Sequence, residues 1–529
     1  MRKKIIEKFH LNSDILSGFM VFLLALPLSL GIAKASDFPA IAGIVTAIIG
    51  GMVVSLFVGS ELTIKGPAAG LIVIASGAVE AFGGGEKGWH IALTAIVTAG
   101  VLQILFGICK FGKLSDLFPN AAIHGMLAAI GIIIMSKQLH ILLGIPPGSL
   151  KGKEPLELLA MLPSSIMHEN AHLTEIGIAC LLILSIHSLI KNQNIKKIPA
   201  PLIVLAVAIP LGFALHIKTD GEISNFALVK VGSLSDIFKN GILNANFEGI
   251  NGNWFVFFEY VILFSLIGSI ESLLTVKAID KKDPMKRKAD TNKDLTAIGI
   301  GNTLAGLIGG LPMISEVARS SANVEYGAKS RWSNFFHGLF LLLAVLFAVS
   351  FIEMIPNTAL AAMLIFVGFR LAHPREFKHI YAIGFDQLLI FVLTILTTLT
   401  TDLLIGVGTG MVMEILINLY HGMSIKNIFN ASYYVSKVTE NEIQLNIKNS
   451  LVFTNCYGFI QNMNRLSEPK NITVRLNDAK LIDHSSLVSL ENFKQQFEKE
   501  GRNFKIIGHD QHHSISGHPH STRKKSKIS

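Results

Sequence analysis

Apolar stretches without charged residues recur along the chain from residue 15 to about residue 420. A helix needs about 20 mostly apolar residues to cross a bilayer. Uncharged stretches of about that length lie at 15–33, 38–60, 88–109, 117–136, 198–217, 295–315 and 332–352. Shorter or charge-bearing stretches lie at 66–79, 176–190, 254–276, 354–369, 387–401 and 403–413. With the region 295–327 divided at Pro312, the pattern predicts an α-helical membrane protein of about fourteen transmembrane segments.

Two of the short segments are interrupted by glycine and proline at matching positions. Gly-Pro-Ala-Ala opens the third segment at 66–69, and Gly-Gly-Leu-Pro opens the tenth at 309–312. Interrupted segments at corresponding places in two halves are typical of inverted-repeat transporters. The pattern therefore predicts two seven-segment repeats, at about 15–217 and 254–420. A pair of ordinary kinked helices is the alternative, because glycine and proline are common in membrane helices.

The composition agrees with a membrane protein and excludes most soluble classes. Half of the residues are hydrophobic, 16% are charged and the mean hydropathy is +0.52, whereas soluble domains carry about 25% charged residues. Disorder is excluded because it requires low hydrophobicity and high charge. The three cysteines have no metal-binding spacing and indicate neither disulfides nor structural zinc.

The positive charge indicates an orientation rather than a nucleic-acid partner. The net charge of +9 comes from short Lys and Arg clusters between apolar stretches, the densest being KKDPMKRK at 281–288. This arrangement follows the positive-inside rule with both termini in the cytoplasm, and no nucleic acid is expected as a partner. We predict a multi-pass protein of the cell inner (plasma) membrane, with a cytosolic tail at 1–14 and a transmembrane domain at 15–420.

The composition changes after Tyr420. Residues 421–508 are polar, with alternation typical of strands and, after a capping Asp483, a helical period. Strand, helix and strand in succession predict a small cytosolic α/β domain. The residues at 509–529 are rich in His and basic residues without an apolar period, and they are predicted to be a disordered tail rather than a metal site.

Charged side chains inside predicted membrane segments are the strongest sign of function. An ionised group in mid-bilayer is costly, so it usually lines a cavity or has a partner. Glu271 lies within the eighth segment, and Glu316 and Arg319 follow the break at Pro312. Thr275 lies one turn after Glu271, on the same helical face. A permanent pair of Glu271 with Arg319 that only fastens the bundle is the structural alternative.

The interrupted segments indicate the cargo. A helix N-terminus carries about half a positive charge and unpaired N–H groups, which bind anions. If the helix starts at Ala68 and Ser315 meet near the midplane, they form an anion pocket to which Arg319 adds a full charge. Glu271 and Glu316 would oppose an anion unless a proton or a sodium ion neutralises them. This requirement gives a physical route to cation–anion symport.

Several motifs in combination resemble the SulP family of inorganic anion transporters, over about residues 10–508. The motifs are GPAAG at 66–70, GLP at 310–312 with ARSSANV at 318–324, Asp14…Gly18…Pro27, and Gly299-x-Gly301-Asn302. The resemblance implies a core and a gate domain built from the two inverted repeats, with the third and tenth helices facing each other. It also implies a C-terminal cytosolic STAS domain and a homodimer.

The resemblance also assigns roles to individual positions. Arg319 falls where many relatives keep a basic residue beside the anion, and Glu271 with Thr275 matches the acid and threonine that bind sodium in bicarbonate-transporting members. Glu316 and Val317 depart from those members, which have a small residue and a hydroxyl there, so protons are at least as good a candidate as sodium. The expected anion-binding residues are Ala68, Ala69, Ser315, Ala318, Arg319 and Ser320. The expected cation-coupling residues are Glu271, Thr275 and Glu316.

The sequence therefore predicts a secondary active transporter for a small oxyanion, sulfate or bicarbonate, coupled to protons or sodium and working by a rocking or elevator movement. An uncoupled anion exchanger and a non-transporting receptor that signals through its STAS domain are the alternatives. No P-loop or nucleophile–base arrangement is present, so neither an ATP-driven pump nor an enzyme is expected, and no cofactor. The turn at 483–486 resembles the site where related STAS domains are phosphorylated.

Overall fold

The computed structural model describes residues 11–525, except for 113, 151, 193–194, 196–197, 218–223, 232–244, 248–249, 251–253, 440, 466–470 and 500. Most of the predicted tail at 1–14, and the last residues of the chain at 526–529, lie outside the described residues. The chain divides into two compact units. The first comprises residues 1–115 and 130–371, and the second comprises residues 116–129 and 372–529.

The first unit is built almost entirely from helices. They are α1 (Leu11–Ala35), α2 (Ala40–Ile48), α3 (Ile72–Ala81), α4 (Gly85–Ile108), α5 (Asn120–Leu142), α6 (Pro155–Met167), α7 (Ala171–Leu189), α8 (Ala200–Ala214), α9 (Trp254–Lys282), α10 (Thr291–Ile308), α11 (Val317–Glu325), α12 (Trp332–Phe347) and α13 (Asn357–Leu371). The first turns of α5 belong to the second unit. Buried aliphatic side chains from most of these helices form one large core.

Several helices have the length and composition of membrane spans. Within the described residues α1, α4, α5, α7, α9 and a further helix, α16 (Leu403–Tyr420), are long and apolar enough to cross a bilayer. Shorter apolar helices include α2, α3, α8 and α12. Large apolar side chains such as Leu105, Ile108 and Phe347 remain exposed on these helices, as expected of surfaces in contact with lipid. The helical membrane fold is confirmed, while the number of segments that cross stays a prediction.

The interruptions predicted near Pro67 and Pro312 are present as short strands. β1 (Lys65–Pro67) pairs antiparallel with β2 (Met313–Ser315), Gly66 facing Ile314, and both strands are buried. β1 leads into α3, and β2 leads into α11. Because the strands are antiparallel and only three residues long, the starts of α3 and α11 flank one small crossing, about 10 Å in length.

Side chains from neighbouring helices hold the outer edges of the crossing strands. An extended backbone inside a membrane needs such partners, because no water is present to bond its N–H and C=O groups. Donor–acceptor distances from the backbone amides of residues 311, 313, 315, 64 and 65 are 2.6–3.4 Å. The accepting side chains are those of Thr46, Asn302, Ser272, Ser320 and Asn334.

Glycines let α2 approach the crossing. After Ile48 the helix continues through a π turn (Ile49–Val53). A β carbon on Gly50 would lie 2.6 Å from the carbonyl oxygen of Lys65, and one on Gly51 would lie 2.5 Å from the Cα of Gly338 in α12. Both positions therefore require glycine for the close contact of α2 with β1 and α12.

The second unit contains membrane-type helices and a mixed sheet. Its remaining helices are α14 (Pro374–Ile383), α15 (Phe385–Thr400), α16, α17 (Phe453–Arg465) and α18 (His484–Lys499). Its strands are β3 (Ser432–Thr439), β4 (Glu442–Leu451), β5 (Asn471–Arg475), β6 (Ala479–Ile482), β7 (Asn503–Ile507), β8 (His512–Ser514) and β9 (Arg523–Lys525). The strand order is β7-β5-β4-β6-β9-β8, with β3 also on β4. Strands β4 to β7 are parallel to their neighbours in that group.

The α/β architecture expected for residues 421–508 is present, with α17 and α18 packed on the sheet through a shared apolar core. The expected helix cap is also found, because Asp483 Oδ1 accepts the N–H of Ser486 at 2.8 Å. The fold of this region is consistent with a STAS domain.

The expectation of a disordered tail at 509–529 is wrong for its described part. β9 pairs antiparallel with β6, and β8 pairs with β9, so the segment adds two strands to the sheet. The physical reason is that these strands are held by backbone hydrogen bonds and by polar contacts such as His512 Nε2 with the carbonyl of Ala479 at 2.7 Å. Such contacts need no apolar period in the sequence.

Candidate functional site

The two predicted helix starts lie at the ends of the strand crossing. Ala68 is buried and Ala69 half-buried at the short turn Ala69–Leu71 that opens into α3, and this turn has no side-chain cap. The helix α11 begins after Glu316 rather than at Ser315, because Glu316 takes the N-cap position. Its carboxylate accepts the N–H of Arg319 at 2.7 Å. The start of α3 therefore has no side-chain cap, whereas the carboxylate of Glu316 caps the start of α11.

Arg319 is the most unusual side chain of the crossing. It is fully buried, and its three guanidinium nitrogens have no hydrogen-bond partner among the described residues. The guanidinium packs on β1, because a β carbon on Gly66 would lie 2.7 Å from Nη1. The half-buried Ala318 precedes it in α11. A buried guanidinium without a partner is strongly destabilising, so the position favours a ligand that carries negative charge.

The hydroxyl groups of the two predicted serines are engaged within the fold. Ser315 Oγ accepts from Ser272 at 3.0 Å and donates to Asp294 at 3.3 Å. Ser320 Oγ accepts from the N–H of Ile64 at 2.9 Å and donates to the carbonyl one turn earlier at 2.5 Å. A hydroxyl has only one proton to donate. Neither serine therefore has a proton left for an anion in this conformation, and both hold the crossing together.

Glu271 lies against the opening turn of α3. A β carbon on Gly70 would lie 2.2 Å from its Oε1 and 2.3 Å from its Oε2, so the carboxylate rests directly on that glycine. Glu271 is 7% exposed, and Oε1 has no hydrogen-bond partner within the described part of the chain. Thr275, one turn later in α9, is also buried. The carboxylate interacts electrostatically with Glu316. These contacts do not include the permanent pair of Glu271 with Arg319 that was the structural alternative.

A buried ion pair between Lys65 and Asp294 was not predicted from the sequence. Lys65 Nζ lies 2.9 Å from Asp294 Oδ1, and both side chains are almost completely buried. Nζ also donates to Thr63, and Ser60 N–H donates to Asp294. Asp294 reaches Ser315 as well, which links α10 to both strands. The one feature of the sequence that could have indicated this pair is the position of Lys65 directly before Gly66 and Pro67.

The ionisable groups at the crossing nearly balance. With all carboxyl groups ionised, Glu271 and Glu316 carry two negative charges, and Arg319 carries one positive charge. The N-termini of α3 and α11 add about half a positive charge each, and the pair of Lys65 with Asp294 is neutral. The crossing is thus close to neutral when empty, and a bound anion makes it negative unless a cation enters too.

Among the described residues no group of three or more His, Cys, Asp or Glu is arranged to hold a metal ion. A sodium site at Glu271 and Thr275 would not require such a cluster, because hydroxyl and carbonyl oxygens can supply its other ligands. These two residues are one turn apart on α9, and their role stays a prediction.

The turn at 483–486 is buried in the second unit. Ser485 and Ser486 are 5% and 0% exposed, and Ser485 Oγ accepts the N–H of Asn120 at 3.2 Å. Burial is the main cause that raises the pKa of Asp483 to about 6. A kinase would not reach either serine in this conformation.

A family of known proteins matches most of this chain. Residues 11–394 match the model of the sulfate permease family. The chain belongs to the sulfate permease family. The resemblance to SulP proteins noted in the sequence is thereby confirmed.

Other members of the sulfate permease family are similar over most of the chain. A putative sulfate transporter, YvdB of Bacillus subtilis, is 24% identical over 95% of this chain and 92% of its own length. The bicarbonate transporter BicA of a Picosynechococcus species is 28% identical over 77% of this chain and 70% of its own. One of these relatives is thus named as a putative transporter of sulfate and the other as a transporter of bicarbonate.

Solved structures from the same group share the fold. The transmembrane domain of a cyanobacterial BicA superposes with a TM-score of 0.63 at 23% identity, covering 77% of this chain and 98% of that one. The structure of SLC26A9 superposes with a TM-score of 0.66 at 14% identity, covering 94% of this chain and 84% of that one. At these identities the likeness concerns the fold alone.

Proposed function

We propose that the protein is a secondary active transporter of a small inorganic oxyanion, sulfate or bicarbonate, across the plasma membrane. The observation that carries the proposal is Arg319, a fully buried guanidinium without a hydrogen-bond partner in the described residues, at the crossing of β1 and β2. A guanidinium presents five N–H donors on three trigonal nitrogens, and in a low-dielectric site it binds planar or tetrahedral oxyanions well. The relatives named above support the same class of cargo.

We propose further that a proton or a sodium ion enters with the anion and binds at Glu271. The carboxylate rests on Gly70 and its Oε1 lacks a hydrogen-bond partner within the described chain. A buried carboxylate without a cation is costly, and a bound proton or sodium ion removes that cost. Because the crossing is near neutral when empty, the cation also balances the charge of the anion.

The transport movement is proposed to be a rocking or elevator displacement of a core domain against a gate domain, in a homodimer with cytoplasmic termini. The interrupted helices α3 and α11, held on a two-stranded crossing, support a site near the midplane, as in other inverted-repeat transporters. The C-terminal α/β domain would then be a cytosolic STAS domain that contributes regulation or assembly.

Uptake by proteoliposomes tests the proposal. The purified full chain is reconstituted, and uptake of labelled sulfate and of labelled bicarbonate is measured with an inward sodium gradient, an inward proton gradient or neither. Accumulation of one anion above equilibrium under one gradient supports the proposed symport. Uptake that requires an anion inside the vesicles would indicate an exchanger instead. Binding without any uptake would indicate a receptor.

A further inference from the structure

A second buried side chain interacts with Arg319, and no prediction from the sequence included it. His337 of α12 is fully buried, and neither of its ring nitrogens has a hydrogen-bond partner among the described residues. Its electrostatic partner is Arg319. Buried polar atoms are nearly always hydrogen-bonded, so an imidazole with two unbonded nitrogens is suited to bind a polar ligand.

A hydrogen bond between α11 and α12 lies one turn from each of the two side chains. Asn323 of α11 donates to Ser333 Oγ of α12 at 2.9 Å, close to the loop that joins these helices. Arg319 lies one turn before Asn323 on the same face of α11, and His337 lies one turn after Ser333 on the same face of α12. Arg319 and His337 thus each lie one turn further from the loop than this contact.

The neighbouring contacts of α12 point the same way. Asn334, almost one turn before His337, accepts from the N–H of Lys65 at 3.4 Å and donates to the carbonyl of Gly50 at 2.9 Å. This face of α12 is thus turned to β1, where the guanidinium of Arg319 also packs. His337 lies less than one turn further along α12 and interacts electrostatically with Arg319.

The chemistry of an imidazole differs from that of a guanidinium. Arginine presents only donors, whereas a neutral imidazole presents one N–H donor and one acceptor nitrogen. A second buried positive charge beside Arg319 would be costly, which favours the neutral ring. A ligand shared by these two side chains should accept several hydrogen bonds and donate one. Hydrogencarbonate has that pattern, because it keeps one hydroxyl, whereas sulfate at neutral pH offers acceptors only.

Resting on the transport function proposed above, we infer that His337 is a further ligand of the oxyanion held by Arg319 and selects a singly charged oxyanion with a hydroxyl over sulfate. The charge balance at the crossing agrees, since a monovalent anion with one cation leaves it nearly neutral. A divalent anion would leave one uncompensated negative charge. Burial of that charge in a low dielectric is unfavourable.

Anion binding by the full chain in detergent tests this inference. Dissociation constants for sodium hydrogencarbonate and sodium sulfate are measured by calorimetry at one pH and one ionic strength. The variants are His337→Phe, which removes both ring nitrogens, and His337→Asn, which keeps a donor and an acceptor. The matched control is His513→Asn, at an exposed histidine of β8.

The expected result is that the wild type binds hydrogencarbonate at least about tenfold more tightly than sulfate, as for one buried hydrogen bond that only one ligand can make. His337→Phe should lose most of this preference, and His337→Asn should retain part of it. An unchanged ratio of the two affinities in a folded His337→Phe would overturn the role of His337. A wild type that binds sulfate equally well or better would overturn the selectivity. Binding of neither anion by the wild type would overturn the transport proposal itself, and this inference with it.

Discussion

The guanidinium of Arg319 and the carboxylate of Glu271 lie at the same crossing but are not paired with each other in the contacts of this structure. A buried salt bridge would have left both side chains satisfied and would have explained them without function. Instead Oε1 of Glu271 and all three nitrogens of Arg319 lack hydrogen-bond partners in the described residues. At the residue scale the lack of a salt bridge between Glu271 and Arg319 favours a binding site over a purely structural ion pair.

Replacement of Arg319 should weaken anion binding. We expect Arg319→Ala to weaken the binding of both sulfate and hydrogencarbonate by about tenfold or more, because a charge-assisted hydrogen bond to a buried anion contributes about 1.5–3 kcal/mol. Calorimetric titration of the full chain measures this. Arg370→Ala, at an exposed arginine near the end of α13, is the control that should change nothing. Unchanged affinity in folded Arg319→Ala would contradict the role.

Neutralisation of Glu271 should separate the anion from its driving ion. In Glu271→Gln the buried carboxylate is absent, so no proton or sodium ion is needed for charge balance. We expect vesicles containing this variant to equilibrate labelled anion but to stop concentrating it under a pH or sodium gradient. Glu325→Gln, at an exposed glutamate at the end of α11, serves as the control. Normal accumulation by the Glu271 variant would show that this residue is only structural.

At this scale the sequence singled out residues that break a local rule. Glu271 and Arg319 stood out because charge is rare within apolar segments. His337 did not stand out, because one histidine in an apolar helix has many ordinary explanations. Nor did the contact of Lys65 with Asp294, since it joins positions that are far apart in the chain. Such contacts follow from the folded arrangement of several elements and leave no local pattern.

At the scale of elements, the crossing of β1 and β2 depends on side chains that come from other helices. The Gly-Pro interruptions could be predicted from the sequence, because proline lacks the backbone N–H that a helix needs and glycine is unfavourable within a helix. The π turn after α2 could not be predicted from the sequence, because glycine is needed at positions 50 and 51 only where β1 and α12 approach closely in the folded structure. The buried pair of Lys65 with Asp294 then fixes β1 to α10.

The fixing role of this pair can be measured as stability. Lys65→Met leaves Asp294 buried without a cation, and breaking a buried pair in this way costs about 3–5 kcal/mol. We expect a clear fall in the unfolding temperature of the full chain in detergent. The double variant Lys65→Met with Asp294→Asn removes both charges while it keeps hydrogen-bonding groups, so it should recover most of the loss. If the single and double variants were equally unstable, the pair would not act as a charge pair.

At the scale of the whole molecule, the C-terminal segment extends the sheet of the α/β domain beyond the domain end that the sequence indicated. Its strands are linked to the domain by backbone pairing with β6 and by histidine contacts. His484 at the start of α18 has its Nδ1 2.7 Å from the carbonyl of His520, and the rings of His484 and His518 are 6.4 Å apart. Histidines from the domain and from its terminal segment thus share one small region.

This arrangement predicts a pH-dependent stability of the C-terminal domain. Burial is the main cause that lowers the pKa of His484 to about 4, and the nearby His518 and His520 lower it further, against the opposing effects of the His520 carbonyl and Asp386. An unfolded histidine titrates near 6.5, so between about pH 6.5 and 4 the unfolded chain binds more protons than the folded one. The free energy of unfolding should therefore fall as the pH falls through this window, and the contribution is fully present above it.

Calorimetric unfolding of the full chain at pH 7.5 and pH 5 measures the effect when it is compared with His484→Asn. The asparagine still has an N–H for the His520 carbonyl but does not titrate, so the shift in unfolding temperature between the two pH values should be smaller in this variant. Buried acids such as Asp483 titrate in both proteins, and their contribution cancels in the comparison. His513→Asn should keep the full shift of the wild type. Equal shifts in the wild type and in His484→Asn would mean that His484 does not link the fold of this domain to pH.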